Sequence, residues 1–335
     1  MAKIKDFLNK YDTILFDMDG VITSEQAYWT CAALVVYEML TSREFFGDGK
    51  AYDTDMYNKR KQIRDEVFCG DKTISTLKNK GVNSNWDLAY VVLAEALLCE
   101  KYDFDVVYER VCKYDNDVFL HYDILAQKLS KKFGKTKEYY ARLGPFWDEV
   151  CAVFQKIYLG EADAPPLMGD EMPIFSVEQT KKVLSALKEN GKSLGTGTGR
   201  PLCELKSPFE RWGLTQFFDK ERLITYDEVV NAEEQMAREG VLLGLTKPHP
   251  FMFLKGALKK DYLTQKIVSG DYDKAILSKT LVVGDAGADM LSAQAGGMDF
   301  LAVLTGISGK AAKPYFEAHG ATYILDSICD MIIDD

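Results

Sequence analysis

The chain has 335 residues, of which 47% are hydrophobic and 27% charged, and its formal net charge is −10. This length predicts a large core and about two domains, and the acidic charge argues against a nucleic-acid-binding surface. The most apolar stretches are interrupted by Glu38 and Glu95, so we expect no membrane-spanning helix. The seven cysteines form no C-x-x-C pair, which favours a cytoplasmic protein without a zinc site or disulfides. The sequence does not indicate the oligomeric state.

The first half of the chain is predicted to contain one strand followed by helices. The strand, "TILF", is followed at once by "DMDG", and the pattern from about residue 24 to 160 is helical. Ser24 is the expected N-cap of the first long helix, and Ser84 or Asn85 is the expected N-cap of another. Gly144 and Pro145 predict a break between two later helices.

From about residue 176 onward, short apolar runs alternate with helical segments. "SVEQTKKVLSALKENG" predicts a helix capped by Ser176 and ended by Gly191. "KSLGTGTG", "RLITY", "TLVVGD", "FLAVLTG" and "ATYIL" predict strands. This alternation is typical of a doubly wound (Rossmann-like) α/β fold with a parallel sheet.

The first predicted strand fits the alternating pattern of strands and helices of this second half, although it lies at the other end of the chain. We therefore expect a discontinuous α/β core domain, residues 1–22 and 176–335, interrupted by a large inserted all-helical domain, residues 23–175. The segment 160–173, rich in Pro, Gly and acidic residues, is the predicted return linker.

Residues that could bind or react with a ligand follow the predicted strands, directly or, for Lys247, after a helical stretch. Ligands bind beyond these strand ends in parallel α/β sheets. The residues are Asp17 and Asp19; Thr198, Gly199 and Arg200; Lys247; and Asp285 with Asp289. Each motif alone has an ordinary explanation: "DMDG" suits an Asx turn, and "GTGTG" resembles a dinucleotide loop without its spacing. Their joint occurrence at strand ends or helix starts favours a single site for phosphate and a hard divalent cation.

The motifs "DMDGV", "GTGTGR", "KPHP" and "GDAGAD", in this order, resemble those of the haloacid dehalogenase (HAD) superfamily of phosphohydrolases. The helical insert after the first motif resembles the cap of phosphoglycolate-phosphatase-like members, although it is about twice the expected size. The resemblance implies that Asp17 is the nucleophile, forming an aspartyl-phosphate, and that Asp19 is the general acid/base.

The resemblance also implies a cofactor and the residues that hold it and the substrate. Mg²⁺ would be bound by Asp17, the Asp19 backbone carbonyl and Asp285, and by Asp289 directly or through water. The phosphate would be bound by Thr198, Gly199, Lys247 and Gly20, with Arg200 open as a substrate contact. Thr196 is an alternative to Thr198 in the glycine-rich second motif, although the family pattern favours Thr198.

These features predict a Mg²⁺-dependent phosphatase that acts on a small phosphorylated metabolite. A phosphomutase using the same aspartyl-phosphate is the main alternative, because the motifs at the reaction centre do not separate the two. Phosphonate hydrolysis, a non-catalytic binding module on the same fold and a nicotinamide-dependent oxidoreductase are more remote alternatives.

Overall fold

The computed structural model describes residues 3–82, 84–99, 101–115, 118–160 and 166–333. They form two compact units: Met1–Ser24 with Met172–Asp335, and Glu25–Glu171. Part of the predicted return linker, residues 161–165, lies outside the described residues. The assignment of the second unit as a cap domain stays a prediction.

The first unit contains a six-stranded parallel sheet. The strands of the described chain are, in order, β1 (Lys3–Ile4), β2 (Thr13–Phe16), β3 (Ser193–Gly197), β4 (Leu223–Ile224), β5 (Thr280–Gly284), β6 (Asp299–Val303), β7 (Tyr323–Leu325) and β8 (Ile332–Ile333). The sheet has the order β4-β3-β2-β5-β6-β7, and β1 pairs separately with β8 in antiparallel fashion. The predicted doubly wound α/β class is confirmed.

The helices of the second unit cover most of its described residues. They are α1 (Gln26–Thr41), α2 (Thr54–Asn58), α3 (Arg60–Val67), α4 (Lys72–Asn79), α5 (Asn85–Leu98), α6 (Phe104–Cys112), α7 (Val118–Phe133), α8 (Lys137–Tyr140) and α9 (Pro145–Leu159). The predicted break at Gly144 and Pro145 separates α8 from α9 and is confirmed. No regular strand interrupts these helices within the part of the unit that the structure describes.

The helices of the first unit connect the strands of its sheet. They are α10 (Val177–Glu189), α11 (Leu202–Arg211), α12 (Tyr226–Arg238), α13 (Phe251–Leu258), α14 (Thr264–Ser269), α15 (Lys274–Leu277), α16 (Gly287–Ala295) and α17 (Lys313–Ala318). Short 3₁₀ helices occur in both units, at Asp6–Lys10, Leu167–Asp170, Thr215–Phe217, Lys220–Arg222, Gly309–Ala312 and Ile328–Met331. Across the described ranges, no helix combines the length and the apolar character that crossing a membrane requires.

Two of the predicted helix caps are present and one is wrong. Ser176 forms a capping box with Gln179 at the start of α10, and the Ser84 hydroxyl accepts from the Asp87 N–H at the start of α5. Ser24 does not cap α1, whose N-cap is Glu25 without a side-chain hydrogen bond. The Ser24 N–H instead donates to the Met172 carbonyl at 2.9 Å, so a long-range backbone contact holds it before the helix begins.

Each unit has its own hydrophobic core. The central strands β2 and β5 are buried along their whole length, as expected for parallel strands covered on both faces. Two clusters of buried apolar side chains lie in the first unit, and a third lies in the second unit around α1 and α5. The sheet register pairs Phe16 with Thr196 and with Val283, so β2, β3 and β5 end at the same edge.

Candidate active site

The first motif lies in a tight turn at the end of β2. The Asp17 N–H still donates to the Val283 carbonyl of β5 at 2.8 Å, after which the chain turns. The Met18 carbonyl accepts from the N–H groups of Ile22 and Thr23 at 2.9 and 2.8 Å. Met18 is fully buried in the core. The apolar residue of the motif therefore anchors the turn, while the carboxylates on either side stay partly accessible.

Three carboxylates gather at this edge of the sheet. Asp285 directly follows β5, and Asp289 lies in the first turn of α16, where its Oδ2 accepts from the Ala286 N–H at 3.3 Å. Carboxylate oxygens of Asp17, Asp285 and Asp289 all lie within 4.8 Å of one another. The Asp19 carboxylate does not belong to this cluster.

Lys247 bridges two members of the cluster. Its Nζ lies 2.9 Å from Asp17 Oδ1 and 2.7 Å from Asp289 Oδ1. Burial lowers the pKa of Lys247, but the two carboxylates outweigh this effect and the pKa is raised, so the group is a cation. Burial and the neighbouring charge of Asp289 raise the pKa of Asp17 to about 7 against the opposing effect of Lys247. The single charge of Lys247 offsets only part of the negative charge of the three carboxylates.

Two glycines leave room for the Asp285 carboxylate. A Cβ on Gly20, whose φ is +75°, would lie 2.2 Å from Asp285 Oδ2, and a Cβ on Gly306 would lie 2.0 Å from the same atom. Gly20 is one of the residues predicted to bind phosphate, and its N–H donates to the Thr23 carbonyl at 2.8 Å. In this structure Gly20 leaves space for the Asp285 carboxylate, and its role in phosphate binding stays a prediction.

Asp19 is held by Arg200 from the second motif. Arg200 Nε donates to Asp19 Oδ2 at 2.9 Å, and Nη2 donates to Asp19 Oδ1. The same Nη2 contacts Thr23 Oγ1 at 2.9 Å, and the Thr23 hydroxyl donates to Asp19 Oδ1 at 3.1 Å. The side chain of Arg200 is 2% exposed, and that of Asp19 is 23% exposed. The first and second motifs are joined by this ion pair.

The two candidate threonines of the second motif have different environments. Thr196 lies within β3, and its hydroxyl donates to the Ile224 carbonyl of β4 at 3.0 Å. Thr198 follows the strand end, and its Oγ1 accepts from the Arg200 N–H at 3.2 Å. The Thr196 hydroxyl is thus engaged inside the sheet, whereas Thr198 stands at the edge where the carboxylates gather. Gly199 beside it is exposed, with no atom within 4 Å of a built Cβ.

These residues suit a hard divalent cation. The four aspartates at this edge of the sheet exceed the two cationic groups, Lys247 and Arg200, by two negative charges. Carboxylate oxygens are the preferred ligands of Mg²⁺ and Ca²⁺, and a divalent ion would offset this excess. The glycines beside Asp285 preserve the cluster of carboxylates, since a Cβ at either position would displace the Asp285 oxygens.

The sequence prediction assigned no functional role to three residues of this region. Thr23 contacts Asp19 and Arg200, Gly306 lies against Asp285, and the Thr305 hydroxyl donates to the Gly20 carbonyl. Thr305 and Gly306 follow β6 in "LTGISG". They are the last two residues of the predicted strand "FLAVLTG", and this place at a strand end was the available signal, since ligands bind at that edge of a parallel sheet.

Comparisons with known proteins agree with this fold. The model of the HAD-hydrolase-like family matches residues 244–331. A crystal structure from the Northeast Structural Genomics Consortium is 26% identical, with a TM-score of 0.72 over 96% of this chain and 97% of that chain. None of the curated proteins matches the chain in sequence.

Two more distant solved structures align over similar lengths. A protein assigned as a phosphoglycolate phosphatase from Lactobacillus delbrueckii subsp. bulgaricus is 18% identical, with a TM-score of 0.48 over 95% of both chains. A family IA, variant 3, HAD hydrolase from Entamoeba histolytica is 12% identical, with a TM-score of 0.47 over 96% of this chain and 97% of that chain.

The matched segment contains the third and fourth motifs, with Lys247, Asp285 and Asp289. These three residues meet Asp17 of the first motif at one edge of a parallel sheet. Residues 244–331 thus match the HAD-hydrolase-like family, and the two motifs in this segment meet the first motif at the candidate site.

Proposed function

We propose that the protein is a Mg²⁺-dependent phosphatase that hydrolyses a small phosphorylated metabolite through an aspartyl-phosphate on Asp17. The observation that carries this proposal is the contact of Lys247 with both Asp17 and Asp289, beside Asp285. A nucleophilic carboxylate next to a fixed ammonium group and a metal-ligand cluster is suited to phosphoryl transfer, in which positioning and charge neutralisation supply most of the catalysis.

In the first step, an Asp17 carboxylate oxygen attacks the phosphorus atom while the bond from phosphorus to the leaving oxygen breaks. That oxygen takes a proton from Asp19, so the dephosphorylated product leaves neutral at this atom. Lys247 stays beside Asp17 and binds the negative charge of the transferring group, and the Thr198 hydroxyl donates to one of its oxygens. Bound Mg²⁺, held by Asp17, Asp285, Asp289 and the Asp19 backbone carbonyl, would supply further charge neutralisation.

In the second step, water attacks the same phosphorus atom and loses a proton to Asp19. The bond from phosphorus to Asp17 breaks, which releases inorganic phosphate and restores both carboxyl groups. Asp19 thus carries one proton out and one proton back. Its distance of two residues from Asp17, in the turn fixed by the Met18 carbonyl, supports this division of labour.

The test is phosphate release from a panel of phosphorylated metabolites, with Mg²⁺ or with EDTA. We expect Mg²⁺-dependent release from one or a few compounds and a loss of at least about 10³-fold in Asp17→Asn, which lacks the nucleophile. Asp12→Asn is the matched control, because Asp12 is exposed and precedes the same strand β2 at its other end.

The same reactions followed by ³¹P NMR separate the two aspartyl-phosphate chemistries. If an isomeric phosphate ester appears instead of inorganic phosphate, the protein is a phosphomutase and not a phosphatase. An unchanged rate in Asp17→Asn would contradict both.

A further inference from the structure

Arg200 is fixed at its backbone as firmly as at its side chain. Its N–H donates to the Thr198 hydroxyl at 3.2 Å, and its carbonyl accepts from the Tyr226 N–H at 2.9 Å. Thr198 is itself tied by its N–H to the Ile224 carbonyl of β4 at 3.2 Å. The residue that follows β3 and the first residue of α12 therefore fix the backbone of Arg200, from which its guanidinium extends.

The guanidinium in turn fixes the orientation of the Asp19 carboxyl group. Nε and Nη2 reach different carboxylate oxygens, the parallel two-bond arrangement that matches the planar fork of arginine. The Thr23 hydroxyl restrains the pair further, since it donates to Asp19 Oδ1 and accepts from Arg200 Nη2. Oδ1 of Asp19 accepts from both Arg200 Nη2 and the Thr23 hydroxyl, whereas Oδ2 accepts from Arg200 Nε. A carboxylate oxygen has two lone-pair sites, so the second site on Oδ2 is the one suited to proton exchange.

A proton carrier depends on such orientation. Asp19 follows the nucleophile in a turn, and Asp17 is fixed separately by Lys247. A carboxyl group on a turn would otherwise rotate about its side-chain bonds, and a misplacement of about 1 Å in a catalytic group can cost roughly 10²-fold in rate. The pair lies in the first unit, as do all the carboxylates of the cluster.

We propose that Arg200 is a positioning residue for Asp19, acting through the bidentate ion pair and the bridging Thr23 hydroxyl rather than through contact with the substrate. The proposal rests on the proposed phosphatase function, in which Asp19 moves the protons. It predicts that loss of Arg200 slows the steps that need Asp19 and leaves the attack of Asp17 on an activated phosphate ester nearly intact.

An aryl phosphate separates these steps. The leaving group of p-nitrophenyl phosphate departs as a stable anion, so its transfer to Asp17 needs little help from an acid. The phosphorus–oxygen bond to Asp17 is then broken by water, which must give a proton to Asp19. A variant that misplaces Asp19 therefore stalls as the phosphorylated enzyme after releasing one p-nitrophenolate.

The experiment is rapid mixing of the full-length protein with Mg²⁺ and p-nitrophenyl phosphate, with acid quenching to measure protein-bound phosphate. We expect Arg200→Ala to show a burst of one p-nitrophenolate per active site, accumulated phosphoenzyme and a steady rate lowered by about 10²-fold. Arg200→Lys, which keeps the charge and loses the fork, should recover part of the steady rate. Thr23→Val should shift the balance in the same direction by less, and both variants provide the readout if Arg200→Ala does not fold.

Arg222 provides the matched control, because it is a largely buried arginine of the same unit with a structural role. Its Nη1 donates to the carbonyls of Gly256 and Ala257, both at 2.7 Å. Arg222→Ala should lower the melting temperature without producing a burst or an accumulated phosphoenzyme.

Two results would overturn the role of Arg200. One is a folded Arg200→Ala protein that loses the burst and the steady rate equally. The other is a raised KM with an unchanged kcat, as expected for a residue that binds the substrate. Failure of the unmodified protein to release phosphate from this ester and from every metabolite would instead overturn the proposed function, and the role of Arg200 with it.

Discussion

Gly20 and Gly306 face the Asp285 carboxylate so closely that neither position has room for a side chain. At Gly20 the backbone also requires glycine, since its φ of +75° is unfavourable for residues with a Cβ. Two separate constraints thus act on this residue: its own conformation and the space that its neighbour needs. They can be separated by a glycine that has only the first of them.

Gly297 is such a glycine, with a φ of +73° and no atom within 4 Å of a built Cβ. We expect Gly20→Ala and Gly297→Ala each to lose about 1 kcal/mol of unfolding free energy through backbone strain. Only Gly20→Ala should also lose the rise in melting temperature on adding Mg²⁺, because its Cβ displaces Asp285. Thermal unfolding in EDTA and in Mg²⁺ measures both effects. An equal Mg²⁺-dependent rise in the two variants would contradict the assignment of Asp285 as a metal ligand.

The ion pair between Asp19 and Arg200 could not be predicted from the sequence, although the positions of both residues could. The motifs predicted that both residues stand at strand ends, and the parallel register of β2 with β3 brings these ends together. The direction of a side chain across that edge depends on the turn at Met18 and on Thr23, which belongs to no predicted motif. The bidentate pairing of residues 181 positions apart follows from those contacts and has no local signature.

At the scale of elements, Asp87 connects the start of α5 to the region around α9. Asp87 is 4% exposed, and its carboxylate accepts from Arg142 Nε at 3.0 and 2.9 Å and from Trp147 Nε1 at 2.8 Å. It also lies in the first turn of α5, where a negative charge favours the helix dipole. The ion pair and the dipole therefore both depend on this charge.

Asp87→Asn should lower the unfolding free energy of the second unit by about 2–3 kcal/mol, because Arg142 and Trp147 lose a charged acceptor. Asp105→Asn is the matched control, since Asp105 is exposed in the first turn of α6 and should cost only about 0.5 kcal/mol from the dipole. Urea unfolding followed by tryptophan fluorescence measures the difference. Equal losses in the two variants would show that the buried contacts add nothing to the helix dipole.

The sequence predicted helix ends correctly where those ends depend on contacts between residues that are close in sequence. The capping serine of α10 and the break before α9 depend on residues within a few positions of each other. Ser24 failed as a cap because its N–H bonds to Met172, far along the chain. The pairing of β1 with β8 joins the two ends of the described chain and was missed for the same reason. The predicted strand "RLITY" is reduced to Leu223–Ile224, because α12 begins at Tyr226.

At the scale of the whole molecule, the chain leaves the first unit and returns to it through neighbouring backbone segments. The Ser24 N–H donates to the Met172 carbonyl, and the Ile174 N–H donates to the Ile22 carbonyl, both at 2.9 Å. Thr23 and Pro173 form an antiparallel bridge between them. The two ends of the inserted unit are therefore close enough to be joined by a turn, as in a β-hairpin.

Because each unit has its own apolar core, the first unit should fold without the inserted one. We expect a chain in which residues 25–171 are replaced by a Gly/Ser linker of about four residues to unfold cooperatively. It should also retain the Mg²⁺-induced rise in melting temperature, since Asp17, Asp285 and Asp289 all remain. At a Mg²⁺ concentration of 100 times Kd, the expected stabilisation is about 2.7 kcal/mol. Asp285→Asn in the shortened chain should abolish it, and a shortened chain that folds without responding to Mg²⁺ would show that the first unit alone does not hold the ion.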